Sequence, residues 1–243
     1  MTGVQVRWLS AGRSDRGAKR KINEDSILLR PDAHVWLAAD GMGGHEAGDV
    51  ASSMVANAVA RVPLCARLSE MADRVDRALV EVNREIRSRS ARDFGGRTMG
   101  STVVSFVASD RFAVCLWAGD SRLYRKRAGA LEQVSSDHSE VQELVDRGLL
   151  SPEDAVGHPN SNVITRAVGG APELYLDVMM VDVEPGDLFV LCSDGLYNEL
   201  SSGEICTALE PDVEASADTL LAQALAKGAR DNVSLIVLRA TAA

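Results

Sequence analysis

Cysteine is scarce in this chain: Cys65, Cys115, Cys192 and Cys206 lie far apart among 243 residues, each within an apolar stretch. There is no C-x-x-C pair and no dense framework. A zinc ribbon and a disulfide scaffold are therefore excluded, and the thiols read as small buried hydrophobes of a reducing compartment. Aromatic residues make up only 4% of the chain, too few to serve as a stacking platform for bases. Positive charge is also short, with 26 Lys and Arg against 35 Asp and Glu and a formal net charge of −9. A nucleic-acid coat needs the opposite balance, because phosphate neutralisation dominates its affinity. No apolar run approaches the roughly 18 residues of a membrane span. The opening residues, MTGVQVRWLSAGRSDR, lack the apolar core and cleavage site of a signal peptide. These absences lead us to expect a soluble, cytoplasmic protein that engages neither nucleic acid nor membrane.

What remains is a globular balance of 46% apolar and 25% charged residues. No linker, repeat or Pro/Ser-rich stretch divides the chain, so one domain over residues 1–243 is expected, and a domain of that size can stand as a monomer. Short strands are expected at about 4–11, 26–30 and 34–39. An Ala-rich helix follows over 46–61. A second, over 67–90, places Leu68, Met71, Val75, Leu79, Val82 and Ile86 at steps of three or four. Four strand-like runs come next, STVVSFVAS, FAVCLWAG, RLYRKR and ALEQVS, with short connections that suit an antiparallel meander. Short helices at 139–148 and 151–156 precede strands at 162–167, 174–183 and 187–193. Ser201 and Glu204 form a capping-box pattern, a helix is expected over 213–228, and VSLIVLR closes the chain as a strand. Runs such as VVSFVAS and LFVLCS are apolar on both faces, so their sheets must be covered twice. The expected fold is α+β, a four-layer α/β/β/α sandwich of two mainly antiparallel sheets flanked by helix pairs.

The acids stand in unusual places. Asp40-Gly41, Asp120 and Asp194-Gly195 each follow an apolar strand, Asp231-Asn232 precedes the last one, and Asn23-Glu24-Asp25 precedes an early one. Aspartate is disfavoured within strands, and glycine beside it permits a sharp turn or a close approach to a ligand. A single Asp-Gly is a turn and nothing more. Five acidic positions at strand ends are different, because converging carboxylates repel unless cations neutralise them. Oxygen donors without His or Cys partners favour hard ions, magnesium or manganese. Rival motifs carry less. DGMGGH lacks the Gly-Lys-Ser/Thr ending of a P-loop. Asp137-His138-Ser139 has the letters of a triad but the wrong spacing for one. Arg13, Arg16, Lys19, Arg20 and Lys21 form a basic cluster that reads as a solvated loop with one working arginine. His34, His45 and His158 read as surface or loop residues.

Taken in order, the segments Arg20-Lys-Ile-Asn-Glu-Asp25, Asp40-Gly-Met-Gly-Gly44, Gly100-Ser-Thr102, Gly119-Asp-Ser-Arg122, Ile164-Thr-Arg-Ala-Val-Gly169, Ser193-Asp-Gly195 and Asp231-Asn232 resemble the bacterial metal-dependent protein phosphatases, the type 2C serine/threonine family. The resemblance spans nearly the whole chain and implies the four-layer sandwich independently. It implies that Asp40 bridges two metal ions, that the Gly41 carbonyl completes one, and that Asp194 and Asp231 hold the other. Glu24 and Asp25 would act through water, Asp120 with Asp194 would bind a third ion, and Arg20 would grip phosphate, with Asn232 behind the ligands. The cofactors implied are two or three manganese or magnesium ions. Residues 139–165 resemble the family's flap. Met42 stands where many animal members carry a histidine proposed as proton donor, and methionine cannot donate. Two divalent ions about 3.5–4 Å apart acidify a shared water. Its hydroxide would attack phosphorus directly, so no phosphoenzyme is expected. The implied substrates are phosphoserine and phosphothreonine proteins, the products of an opposing Ser/Thr kinase. The alternative is a catalytically silent binding module of the same fold, whose mark would be a lost metal carboxylate. A nuclease is disfavoured by the acidic composition.

Overall fold

Strands that are apolar on both faces need two cores. The computed structural model describes residues 6–44, 46–96, 98–155 and 157–243, and among them the strands form two antiparallel sheets. The first joins β1 (Val6–Asp15), β11 (Val233–Ala242), β10 (Leu188–Cys192), β7 (Arg122–Arg127) and β8 (Ala130–Gln133) in that spatial order. The second joins β2 (Asp25–Arg30), β3 (Val35–Met42), β5 (Val103–Ala108), β6 (Phe112–Ala118) and β9 (Asp177–Asp182), with the two-residue β4 (Gly100–Ser101) beside β3. The sheets meet face to face around Trp8, Trp36, Phe106, Trp117, Phe189 and Ile236. All three tryptophans and two of the four phenylalanines of the chain are placed there.

Helices cover the outer faces. α1 (Glu46–Ala60) and α2 (Leu68–Asp93) lay Ala51, Val55, Val75, Leu79 and Ile86 on the second sheet, the face that the three-and-four spacing marks out. α7 (Val213–Ala226), with the shorter α5 (Asp194–Tyr197) and α6 (Ser202–Ala208), packs Leu196, Ile205, Ala217 and Leu220 on the first. Ser201 and Glu204 close a full capping box on α6. The four layers are those expected. α3 (Glu140–Asp146) and α4 (Pro152–Ala155) stand apart from these layers, in the segment expected as a flap.

Three local expectations change. The four strand-like runs do not form one meander: β5 pairs β6 in the second sheet, while β7 pairs β8 in the first. The chain crosses between sheets at Gly119, whose φ of +109° a side chain rarely adopts and where a Cβ would lie 2.7 Å from Thr102. Residues 162–167 form no strand. Ser139 and Ile164 make a single bridge, and Val163 is exposed. Of the cysteines, Cys115 and Cys192 are buried, but Cys65 and Cys206 are only partly so. His45 and the first residues of the expected strand at 4–11 lie outside the described residues.

Candidate active site

Antiparallel pairing carries the acids to one place. Strands that alternate in direction put the end of one beside the start of the next. Asp25, opening β2, lies directly opposite Asp40 near the end of β3. Val103, opening β5, pairs with Ala118 at the end of β6, so Gly119-Asp120 leaves at this same edge. In the facing sheet Cys192 ends β10 opposite Leu235 of β11, which brings Ser193-Asp194 beside Asp231-Asn232. Arg20, Glu24, Asp40, Asp120, Asp194 and Asp231 line one cavity of about 260 Å³. Gly41, Met42 and Asn232 line it too, as do Asn162 and Ile164 from the 139–165 segment. Asp25 lies behind the lining, buried, with Ser193 Oγ donating to its Oδ2 at 2.8 Å.

Burial makes these carboxylates reluctant to ionise. It pushes Asp25 and Asp120 up to about 7 and Asp194 up to about 6, and it holds Asp40 well above the ordinary range. Mutual repulsion adds to burial at all four, with Asp194 raising both Asp25 and Asp120. Two oxygens are buried with no hydrogen-bond partner, Asp25 Oδ1 and Asp194 Oδ1. Buried polar atoms left bare cost folding free energy, and divalent cations are the partners such acceptors need. Among the described residues no three His, Cys, Asp or Glu side chains are poised around one point. An ion here would draw its shell from carboxylate oxygens, a backbone oxygen and water. Such an all-oxygen shell suits magnesium and manganese better than zinc. The donor set fits hard divalent ions.

The surrounding polar residues fix the acids in place. Asn232 accepts from the Glu24 N–H at 2.8 Å and donates to the carbonyls of Arg16 and Ile22. It thereby ties the Arg20–Glu24 segment to the start of β11. Arg20 donates to Asp231 Oδ2 at 2.6 Å, and that bond raises its pKa further. Of the remaining contributors, Tyr197 and Asn198 lie outside the motif segments, while Thr102 and Ser121 fall within them with no role assigned. Thr102 Oγ1 accepts from the Asp40 N–H and shares a hydrogen bond of 2.6 Å with Ser121. Tyr197 donates to the Asp120 carbonyl at 3.0 Å, with the Arg122 guanidinium lying over its ring. Asn198 donates to Asp194 Oδ2 from one helical turn away, a spacing that would have flagged it. The triad letters dissolve: Asp137 pairs with Arg122, while Ser139 caps α3.

The family described as Protein phosphatase 2C matches residues 11–231. Serine/threonine protein phosphatase PstP of Mycobacterium tuberculosis is 37% identical over 228 residues, which cover 93% of this chain and 44% of PstP. The chain thus spans less than half the length of that relative. Serine/threonine phosphatase stp of Listeria monocytogenes is 34% identical over 237 residues, 93% of each chain. Among solved structures, PppA of Pseudomonas aeruginosa, described as a key regulatory component of T6SS, superimposes with a TM-score of 0.90 at 41% identity, covering 97% of this chain and 99% of that one. The catalytic domain of PstP in complex with two manganese ions gives 0.86 at 35% identity, covering 97% and 99%.

Proposed function

Because the chain belongs to the protein phosphatase 2C family, we propose that it hydrolyses phosphoserine and phosphothreonine in proteins, with manganese or magnesium as cofactor. The observation that carries this reading is the meeting of Asp40, Asp120, Asp194 with its bare, buried Oδ1, and Asp231 with Arg20 at one 260 Å³ cavity. Asp40, Asp194, Asp231 and the Gly41 carbonyl are the donors we assign to two divalent ions. Asp120 with Asp194 serves a third, and Glu24 and Asp25 act through water. When bound, such ions ionise water near neutral pH and offset the charge of phosphoryl oxygens.

The chain's own residues do the rest. Arg20 is half exposed and commits Nη2 to Asp231, which leaves other donors of its planar fork for a phosphate. Asn232 holds the Arg20–Glu24 segment at the cavity through three backbone contacts. Met42 lines the cavity without a proton to give, so it cannot serve as the acid for the leaving alcohol. We read residues 139–165 as a flap within a single catalytic domain over 1–243, since Asn162 and Ile164 reach the cavity. No helix among the described residues is long and apolar enough to cross a membrane. The protein is proposed to act as a cytoplasmic monomer on the products of a Ser/Thr kinase, since that chemistry must make its substrates.

The test is phosphate release from a phosphothreonine peptide with manganese, with excess chelator, and with Asp194→Asn. Release that needs the metal and collapses in the variant is the expected result. Release indifferent to chelator would overturn the mechanism, and no release with any divalent ion would leave a silent module.

A further inference from the structure

The basic cluster at residues 13–21 is not spent on the site as described. Arg13 is accounted for elsewhere, paired with Glu214 and Asp218 of α7, and Arg20 bonds Asp231. Arg16, Lys19 and Lys21 are exposed and, among the described residues, make no ion pair or side-chain hydrogen bond. Arg230, on the loop that carries Asp231, is exposed and equally uncommitted, with only its backbone N–H donating to Glu199. The nearby Asp15 is taken by the backbone N–H of Gly17. In a chain of net charge −9, four uncommitted cations on adjoining loops are a local reversal of sign.

These two loops are built against each other. Ala18 N–H donates to the Ala229 carbonyl at 2.9 Å, and Asn232 donates to the Arg16 carbonyl at 2.8 Å. Gly17, at φ +70°, sits so close to the Asp231 carbonyl that a Cβ there would clash with it. The cations are therefore presented from an anchored edge and not from a loose tail. Lys19 and Lys21 flank Arg20, and Arg230 adjoins Asp231, and both Arg20 and Asp231 line the cavity. We propose that Arg16, Lys19, Lys21 and Arg230 form a collar that selects substrates carrying anionic groups, carboxylate or a second phosphate, close to the scissile phosphoresidue. This rests on the phosphatase reading and names the substrate class of that same site. Long-range steering toward a negatively charged protein would otherwise work against it, so the local reversal is where discrimination is won.

The experiment uses fluorescein-labelled phosphothreonine peptides with flanks of Glu, of Ser, or of Ser with a second phosphothreonine. Affinity is read by fluorescence anisotropy and turnover by phosphate release, with p-nitrophenyl phosphate as the flank-free substrate. The variant combines Arg16→Ser, Lys19→Ser, Lys21→Ser and Arg230→Ser. Exposed charge pairs are individually weak, so the four together are expected to favour the Glu flank over Ser by about 10-fold at low salt, chiefly in KM. That ratio should fall towards one in the variant and in high salt, with p-nitrophenyl phosphate turnover unchanged. A gain confined to the doubly phosphorylated peptide would assign the collar to a second phosphoryl group. Equal affinity for Glu and Ser flanks, with no gain from the second phosphate, would overturn the inference, as would a preference that survives in the variant. So would an oligonucleotide bound as tightly as the Glu-flanked peptide and released by the same substitutions. Because affinity is read without turnover, a protein that hydrolyses nothing would overturn the phosphatase reading while the collar is still judged by the affinity ratio.

Discussion

The middle of the sandwich and its acidic end are built from the same strands, and both are buried, yet they obey opposite rules. In the middle, Trp8, Trp36, Phe106 and Phe189 meet at ring-centroid distances of 4.8–6.4 Å, and burial itself is the stabilising term. One strand end away, Asp25, Asp40, Asp120 and Asp194 are buried against their preference, each with its pKa raised by that burial. The apolar centre holds the two sheets in register, and the register forces the carboxylates together. Stability is made in one region and spent in the other. The charges that make the end unfavourable are the charges that would capture divalent ions.

Substitutions separate the two regions. Phe106→Ala should cost about 3–5 kcal/mol of stability, because it empties a fully buried position between the sheets. Urea unfolding with the metal present checks this, and turnover per folded molecule should hardly change. Asp194→Asn is its mirror image. Turnover should fall on the order of 10²–10³-fold, as for loss of one charge-stabilising group in an active site, while the metal-free protein becomes more stable, since one of several repelling charges is gone. Asn232→Ala touches neither aromatic core nor carboxylate, but it frees the Glu24 backbone from its anchor. Manganese affinity should weaken about 10–100-fold, the usual range for partners that orient ligands, as titration calorimetry would show.

A subtler break comes from pH. Asp25 and Asp120 titrate at about 7 and Asp194 at about 6 in the folded metal-free protein, against an ordinary 3.8. The folded state thus holds protons that the unfolded chain has already released. Stability of the chelated protein should therefore fall as pH rises from about 4 to about 7. With saturating manganese that slope should flatten or reverse, because protons and metal compete for the same oxygens. Melting temperatures across this range, with chelator and with metal, give the comparison directly.

Much of this was legible in the sequence, for a physical reason. Doubly apolar runs such as LFVLCS can only be strands covered on both sides, and acids placed just past such runs must emerge at sheet edges. The period of α2 from Met71 to Ile86 marked its buried face. Other features depend on which sheet a strand joins, and periodicity is silent on that. The crossing at Gly119 looks like any short turn, so RLYRKR seemed to continue a meander that it leaves. Val163 and Ile164 are apolar like a strand, but Ile164 holds a cavity wall with one bridge and no ladder, and Val163 is exposed. Thr102, Ser121 and Tyr197 reach the site through backbone groups of Asp40 and Asp120 or through each other. Thr102 and Ser121 fall within the Gly100-Ser-Thr102 and Gly119-Asp-Ser-Arg122 segments, but their spacing does not tell which backbone groups they hold, and Tyr197 stands outside any segment.

The central claim is that the acidic end is a divalent-cation site whose carboxylates destabilise the fold until they are filled. The most direct measurement is the urea midpoint near neutral pH, in chelator and in saturating manganese, for the natural sequence and for Asp194→Asn. Ligand that binds only the folded state raises its stability by mass action. The account predicts that manganese raises the midpoint of the natural sequence, that Asp194→Asn lies above it in chelator, and that the variant gains far less from the metal. A natural sequence unmoved by manganese, or a variant less stable than it in chelator, would contradict the account.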